Sequence, residues 1–318
     1  MQRTRTTVGH LTIFALLLLG LLHLPVGAGV TENGGLPGPA SGQAFSGEQD
    51  QRLRAQLQSL VRKEGLWAYV QSRRLALGIA DITDLEAPRY AALNPDHMMY
   101  AASLPKIAIL LGAFVKLEAG ELTLDQALRG DMERMIRYSD NPAATRVLDR
   151  VGRQDLIAIL TSDRLRLYDP ERNGGLWVGK DYAGVAAFQR DPLHNLSHGA
   201  TVRQVLRFFY LLEKGELVAS PYKEAMKQIL ADPGVSHKFV AGLKDKPDIR
   251  LYRKSGTWRD FHADAAMVEA DGRRYVIVGL GRHAEAGAWL MRLAGPMHDL
   301  VVGKDRGAGQ AAPAGAGH

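Results

Sequence analysis

The chain has 318 residues, a net charge of +6 at pH 7 and no cysteine. The length supports one large domain or two small ones with an ample core. The missing thiol excludes disulfides, thiolate metal sites, a cysteine nucleophile and lipidation of an N-terminal cysteine. The basic residues are scattered, with Arg73-Arg74 and Arg273-Arg274 only as pairs, so no basic stripe interleaved with aromatics points to nucleic acid.

In chain order, Arg3 and Arg5 precede an apolar run from Leu11 to Leu22, too short to span a bilayer comfortably, and then a small-residue stretch, Val26 to Gly29. This predicts a signal peptide over 1–28, cleaved near Ala28, and a protein that is secreted or held in the periplasm or cell envelope. An uncleaved anchor is the alternative. Residues 29–47, rich in Gly, Pro and Ser, read as a flexible linker. The Gly/Ala-rich segment 303–318 reads as a disordered tail. The part between is expected to be a monomer without a membrane span.

Leu53, Leu57, Leu60 and Val61 recur at helical spacing and predict a helix over 48–63. Residues 75–81 read as a strand. The middle is helical over 104–118, 122–138, 142–151 and 201–214, with Thr201 and Ser220 as expected N-caps. The apolar stripe Val205 to Leu212 is expected in the core. Residues 249–255 read as a strand. Residues 262–269 and 275–280 flank Asp271-Gly272, a hairpin signal, and 286–301 is an apolar helix kinked by Pro296. Strands early and late with helices between predict an α+β domain over 48–302. Its antiparallel sheet is closed by both chain ends and flanked by terminal helices. An all-helical lobe is inserted over about 103–219, with a site in the cleft.

Three clusters in this framework carry chemistry. Ser103-Leu-Pro-Lys106 stands before an apolar helix, which places Lys106 one turn on, on the face of Ser103. A partly buried lysine with a lowered pKa can activate a serine. Ser139-Asp-Asn141 precedes the helix expected from Pro142 and offers a second hydroxyl and an amide, with Asp140 expected to hold the loop by local backbone bonds. Lys254-Ser-Gly256, at the end of a strand, offers a second cation, a hydroxyl and a position of close backbone approach. Each is weak alone. Ser220-Pro-Tyr-Lys223 also fits the first pattern, and there Ser220 reads as a helix cap.

Together and in this order, the clusters resemble the serine-lysine signature of the class A β-lactamases and their low-molecular-mass penicillin-binding relatives. The resemblance spans about Glu48 to Val302. It implies an exported serine hydrolase with the β-lactamase/transpeptidase-like fold, acting on β-lactam amides or peptidoglycan stem peptides without a cofactor or metal. Ser103 is then the nucleophile and Lys106 its base, and Ser139 with Lys254 guides a proton to the leaving nitrogen. Asn141, Ser255, Gly256 and Trp258 contact substrate, and the backbone N–H groups of Ser103 and Thr257 hold the oxyanion.

The family pattern also asks for a glutamate after the second cluster, to activate the water that releases the acyl group. The best overlay on Tyr168-Asp-Pro-Glu-Arg-Asn173 puts Asp169 there, one methylene short, with Glu171 as fallback. On that overlay Asp169→Asn is expected to slow loss of an acyl adduct. The first two clusters stand closer together than is usual, and the segment that brings an aromatic to the cleft rim is missing. These departures keep two rivals open. One is a D-alanyl-D-alanine carboxypeptidase or other cell-wall amidohydrolase, which needs no loop glutamate. The other is a non-catalytic envelope protein that retains the fold. His194 and His198, at i and i+4, are expected to make structural hydrogen bonds in a loop rather than bind zinc.

Overall fold

The computed structural model describes Phe45 and residues 47–303. The expected leader, nearly all of the linker and the tail lie outside the described residues. Among the described residues no helix is long and apolar enough to cross a membrane.

Helix α1, Gln51–Lys63, buries Leu53, Leu57 and Val61 and is capped by Asp50, whose carboxylate accepts from the Leu53 N–H at 2.7 Å. The cap stops the helix from reaching back to Glu48. After the short α2, Trp67–Gln71, strands β1, Leu75–Asp81, and β2, Arg89–Leu93, form a hairpin. Strand β2 had no expectation, because Tyr90 to Leu93 has no polar alternation to mark it. The chain then passes through the two-residue β3, Met99–Tyr100, into helix α3, Lys106–Glu118.

Helices α4, Gln126–Arg137, α5, Asn141–Val151, and α6, Arg153–Thr161, follow. Helix α4 starts four residues later than the periodicity suggests. Asp125 caps it by accepting from the Leu128 N–H at 2.6 Å. Helix α5 starts at Asn141, capped by Asp140. Next come the short strands β4, Tyr168–Asp169, β5, Gly174–Gly175, β6, Trp177–Val178, and β7, His198–Ala200. Strand β7 lies between β3 and β6. His198 is thus on a strand, not in the expected loop.

Helix α7, Val202–Lys214, begins at the expected cap Thr201 and is almost wholly buried. Helix α8, Tyr222–Leu230, departs from expectation: Pro221 occupies the cap position, no side chain makes a capping bond, and Ser220 lies outside the helix. Helix α9, Phe239–Leu243, leads into β8, Arg250–Trp258, β9, Phe261–Ala270, and β10, Arg273–Arg282. Asp271 and Gly272 turn the β9–β10 hairpin with φ of 49° and 70°, the left-handed pair that a two-residue hairpin requires. Helix α10, Ala286–Val302, ends the described chain and contains Pro296.

The large sheet runs β2-β1-β10-β9-β8, antiparallel throughout, so the first and last strands meet at its centre. One face packs on α1 and α10 through Leu57, Ile79, Ile277 and Leu290. The other packs on α7 and the helices α3 to α6 through Ala76, Val278, Leu206 and Phe114. Strand β8 is the edge, and the third cluster lies on it.

Candidate functional site

The first cluster begins in a strained turn. Ala102 has φ of 50°, a left-handed conformation that costs a non-glycine residue. The Leu104 N–H donates to the Ala101 carbonyl at 3.0 Å, and the Lys106 N–H to that of Ser103 at 3.3 Å. Helix α3 therefore starts at Lys106 rather than Leu104, and Ser103 projects from the turn before it, partly exposed on the wall of a cavity of about 700 Å³.

Lys106 is fully buried. Its amine donates to the Ser139 carbonyl at 2.5 Å and Asn141 Oδ1 at 2.7 Å, with Ser139 Oγ at 3.5 Å. Burial lowers its pKa to about 7, against a smaller opposing pull from Asp140. Near neutral pH a large fraction is thus unprotonated, the state a general base needs.

The second cluster is held open by its backbone. Ser139 has φ of 61°, which turns both its carbonyl and its hydroxyl toward lysines. Asp140 accepts from the Ala143 N–H at 2.6 Å, fixing the loop to α5. The third cluster completes the triangle: Lys254 Nζ donates to Ser139 Oγ at 2.9 Å and to the Ser255 carbonyl at 2.7 Å. Lys254 is held well below the usual lysine range by burial and by the charges of Lys106 and Arg253. The Ser139 hydroxyl thus stands between two buried amines, each of which disfavours the other's charge.

Lys254 lies inside β8, which runs three residues past the expected strand end at 255, to Trp258. A Cβ on Gly256 would stand 2.2 Å from the Ala101 carbonyl oxygen and 2.7 Å from the Ser103 nitrogen. Only glycine permits this backbone-to-backbone approach, which sets Thr257 beside Ser103 on the cavity wall. Trp258 follows on the same wall, 56 % exposed. Ser255 is buried and opposite Asp264 in the sheet register.

The two loop carboxylates are not brought here. Asp169 is buried, accepts from the Glu171 N–H at 3.0 Å and pairs with Arg166 at 3.1 Å. Glu171 pairs with the same arginine at 2.9 Å and is 81 % exposed at its side chain. Neither lines the cavity. Both candidates for the family's glutamate are thus tied to Arg166 and stand outside the cavity lining. The pairing of β4 with β5 turns the Tyr168–Asn173 segment onto Arg166, and the stretch that lines the cavity with Ser103 is 180–184.

In that stretch Asp181 lines the cavity but is bound bidentately by Arg153, at 2.8 and 2.7 Å. Tyr182 is half-buried, with its ring centroid 4.5 Å from Lys106 Nζ and its hydroxyl donating to the Ala102 carbonyl at 3.1 Å. His198 packs on that ring at 4.3 Å and bonds to the Lys180 carbonyl at 3.0 Å. Burial lowers its pKa to about 4. His194 contacts the Asn173 carbonyl instead, at 3.1 Å. Among the described residues no group of three or more His, Asp or Glu is arranged to hold a metal ion.

The sequence reading missed Asp181, Tyr182 and one more residue. Lys238, fully buried, donates to the Gly256 carbonyl at 2.6 Å, Thr257 Oγ1 at 2.8 Å and the Ala263 carbonyl at 3.1 Å. Burial lowers its pKa to about 8. None of the three sits in a short motif, and tertiary packing alone brings Asp181 and Tyr182 to the cavity and Lys238 to β8. Tyr100 and Phe261 also line the cavity, and their rings meet edge-on at 5.4 Å.

The described fold matches solved structures at probability 1.00. The structure of PBP-A aligns with a TM-score of 0.57 and 19 % identity, over 79 % of this chain and 96 % of that one. A β-lactamase from Xanthomonas campestris pv. campestris aligns with a TM-score of 0.60 and 17 % identity, over 79 % and 97 %. A mutant of PBP-A, solved as an acyl-enzyme complex with penicillin G, aligns with a TM-score of 0.56 and 20 % identity, over 79 % and 96 %. At these identities the likeness is one of fold. No curated protein matches the chain in sequence. The model of the β-lactamase enzyme family matches residues 63–133 and 128–288, well over half of the chain. The chain belongs to the β-lactamase enzyme family, and its α+β architecture is the β-lactamase/transpeptidase-like fold.

Proposed function

We propose that this protein is an exported serine hydrolase that opens β-lactam amides through an acyl-enzyme on Ser103. The observation that carries the reading is the placement of the Ser139 hydroxyl between two buried amines, 2.9 Å from Lys254 and 3.5 Å from Lys106, next to a serine at the head of α3.

In the proposed mechanism the substrate carbonyl carbon sits against Ser103, with its oxygen toward the N–H groups of Ser103 and Thr257, where developing negative charge is stabilised. Neutral Lys106 takes the Ser103 proton as the Oγ–C bond forms. The ring C–N bond then breaks, and its nitrogen takes the proton of Ser139, which Lys106 replaces with the proton it took from Ser103, while Lys254 holds the Ser139 hydroxyl in place. The amine of Lys254 and the donors of Ser255 and Thr257 face a substrate carboxylate. Asn141 Oδ1 is bonded to Lys106 in this structure. Its amide contact to substrate uses the opposite end of the side chain.

Release of the acyl group is a separate matter. Asp169 and Glu171 are tied to Arg166, and the cavity carboxylate Asp181 is tied to Arg153. This favours the second reading, a peptidase-like enzyme of cell-wall stem peptides that β-lactams acylate persistently, over a fast β-lactamase.

Intact-protein mass spectrometry after mixing with penicillin G tests both. A persistent mass increase on wild type, absent from Ser103→Ala, is expected. An adduct that disappears within the mixing time, with penicillin consumed, points to the β-lactamase. No adduct and no turnover from a folded protein would overturn the acyl-enzyme reading and leave the non-catalytic envelope protein. Export is tested by N-terminal sequencing of the envelope fraction, where cleavage near Ala28 is expected.

A further inference from the structure

Lys106 is enclosed on two unlike sides. Toward α5 and β8 it meets polar groups: the Ser139 carbonyl, Asn141 Oδ1 and, beyond the Ser139 hydroxyl, the amine of Lys254. On the opposite side its amine faces the Tyr182 ring at 4.5 Å. That ring does not swing freely. Its hydroxyl is fastened to the Ala102 carbonyl, one residue from the nucleophile, and His198 of β7 packs against it at 4.3 Å. The titratable and charged groups that face this amine or its wall are Asp140 at the head of α5, Lys254 on β8, His198 on β7 with Lys180 and Arg190 near it, and Tyr182 itself with Tyr100 near it. Asp140 is the sole carboxylate in that set, and it spends its oxygen on the Ala143 N–H.

We propose that Tyr182 is a positioning residue for acylation, a wall that keeps water off the Lys106 amine and holds it at Ser103. The inference rests on the reading of Lys106 as the base. A ring face has two opposed effects on an amine. Its quadrupole attracts the ammonium form, whereas its bulk removes water that would solvate that charge. The depression of Lys106 has burial as its largest cause, and its hydrogen-bond acceptors are neutral, which supports the second effect.

The test is a titration of the Lys106 side chain by NMR, in protein labelled at lysine Cε and assigned by Lys106→Arg. Wild type is expected to titrate near pH 7. In Tyr182→Ala water reaches the amine, and the midpoint is expected to rise by about one pH unit or more. Should that variant fail to fold, Tyr182→Gln, of similar reach and polar, is expected to give the same rise. Tyr182→Phe keeps the ring over the amine, and its midpoint is expected to stay within about half a unit of wild type. An unchanged midpoint in a folded Ala or Gln variant overturns the proposal, as does a rise in Phe equal to that in Ala. The pH profile of acylation by a fluorescent penicillin is expected to move with the midpoint. Because the titration needs no substrate, failure of wild type to be acylated would count against the acyl-enzyme reading alone.

Discussion

At the residue scale the site is built from buried amines, and burial makes them both useful and costly. A lysine held at about 7 instead of 10.5 penalises the native state by roughly 5 kcal/mol below pH 7. The sign follows from proton counts. Between pH 7 and 10.5 the unfolded chain holds the proton that the folded chain has lost, so stability attributable to this group rises with pH across that window and is flat outside it. Replacing Lys106 by Met removes the penalty but strands the Ser139 carbonyl and Asn141 Oδ1, at about 1–3 kcal/mol each. Denaturant unfolding should therefore show Lys106→Met more favoured relative to wild type at pH 6 than at pH 10, while acylation is lost. An equal difference at both pH values would mean that Lys106 is not depressed in the native state. In wild type, the acylation rate is expected to climb as pH crosses about 7 and then to level, as stopped-flow with a fluorescent penicillin would record.

At the element scale, the contact of β8 with the α3 turn decides whether the clusters meet. Gly256→Ala adds a methyl that would lie 2.2 Å from the Ala101 oxygen. Backbone must then shift, typically costing about 1–3 kcal/mol. Acylation is expected to fall by at least tenfold, with the thermal midpoint lowered by several degrees. The Tyr168–Asn173 element gives a contrasting expectation. Asp169→Asn weakens the tie to Arg166, so a small loss of stability is expected but an unchanged adduct lifetime by mass spectrometry. A slower loss of the adduct would restore Asp169 to the mechanism.

The three clusters were legible because each joins a reactive side chain to a local backbone device: a turn before a helix, an Asp cap, a glycine in a strand. The boundaries of α1, α4 and α5 follow from Asp50, Asp125 and Asp140, caps that were present in the sequence but outweighed there by apolar periodicity. The wall of the cleft was not legible. Tyr182 and Lys238 belong to irregular segments, and only packing of distant elements tells that one ring faces Lys106 and one amine grips β8. The pairing of Asp169 with Arg166 was hidden for the same reason, since a short overlay of residues cannot reveal which way a two-residue strand pair turns its loop.

At the scale of the whole molecule, one sheet divides two cores and an ion pair fastens the site to it. Arg253 and Asp264 are buried and joined at 2.6 and 2.8 Å, and Asp264 also accepts from the Phe239 N–H at 3.0 Å. Asp264→Ala leaves a guanidinium uncompensated next to Lys254 and Lys238. A loss of about 3–5 kcal/mol is expected from urea unfolding, with acylation reduced even where the variant is folded. A loss under about 1 kcal/mol would show that the pair is dispensable.

The order of strands has a consequence in time. Leu75 pairs with Gly281 and Asp81 with Tyr275, partners about two hundred residues apart. The strand at the centre of the sheet is thus among the last to leave the ribosome, and until it arrives neither core has its floor. Closing so long a loop is slow. A chain built this way stays open through most of its synthesis, the condition in which a polypeptide can be threaded through a narrow pore before it folds.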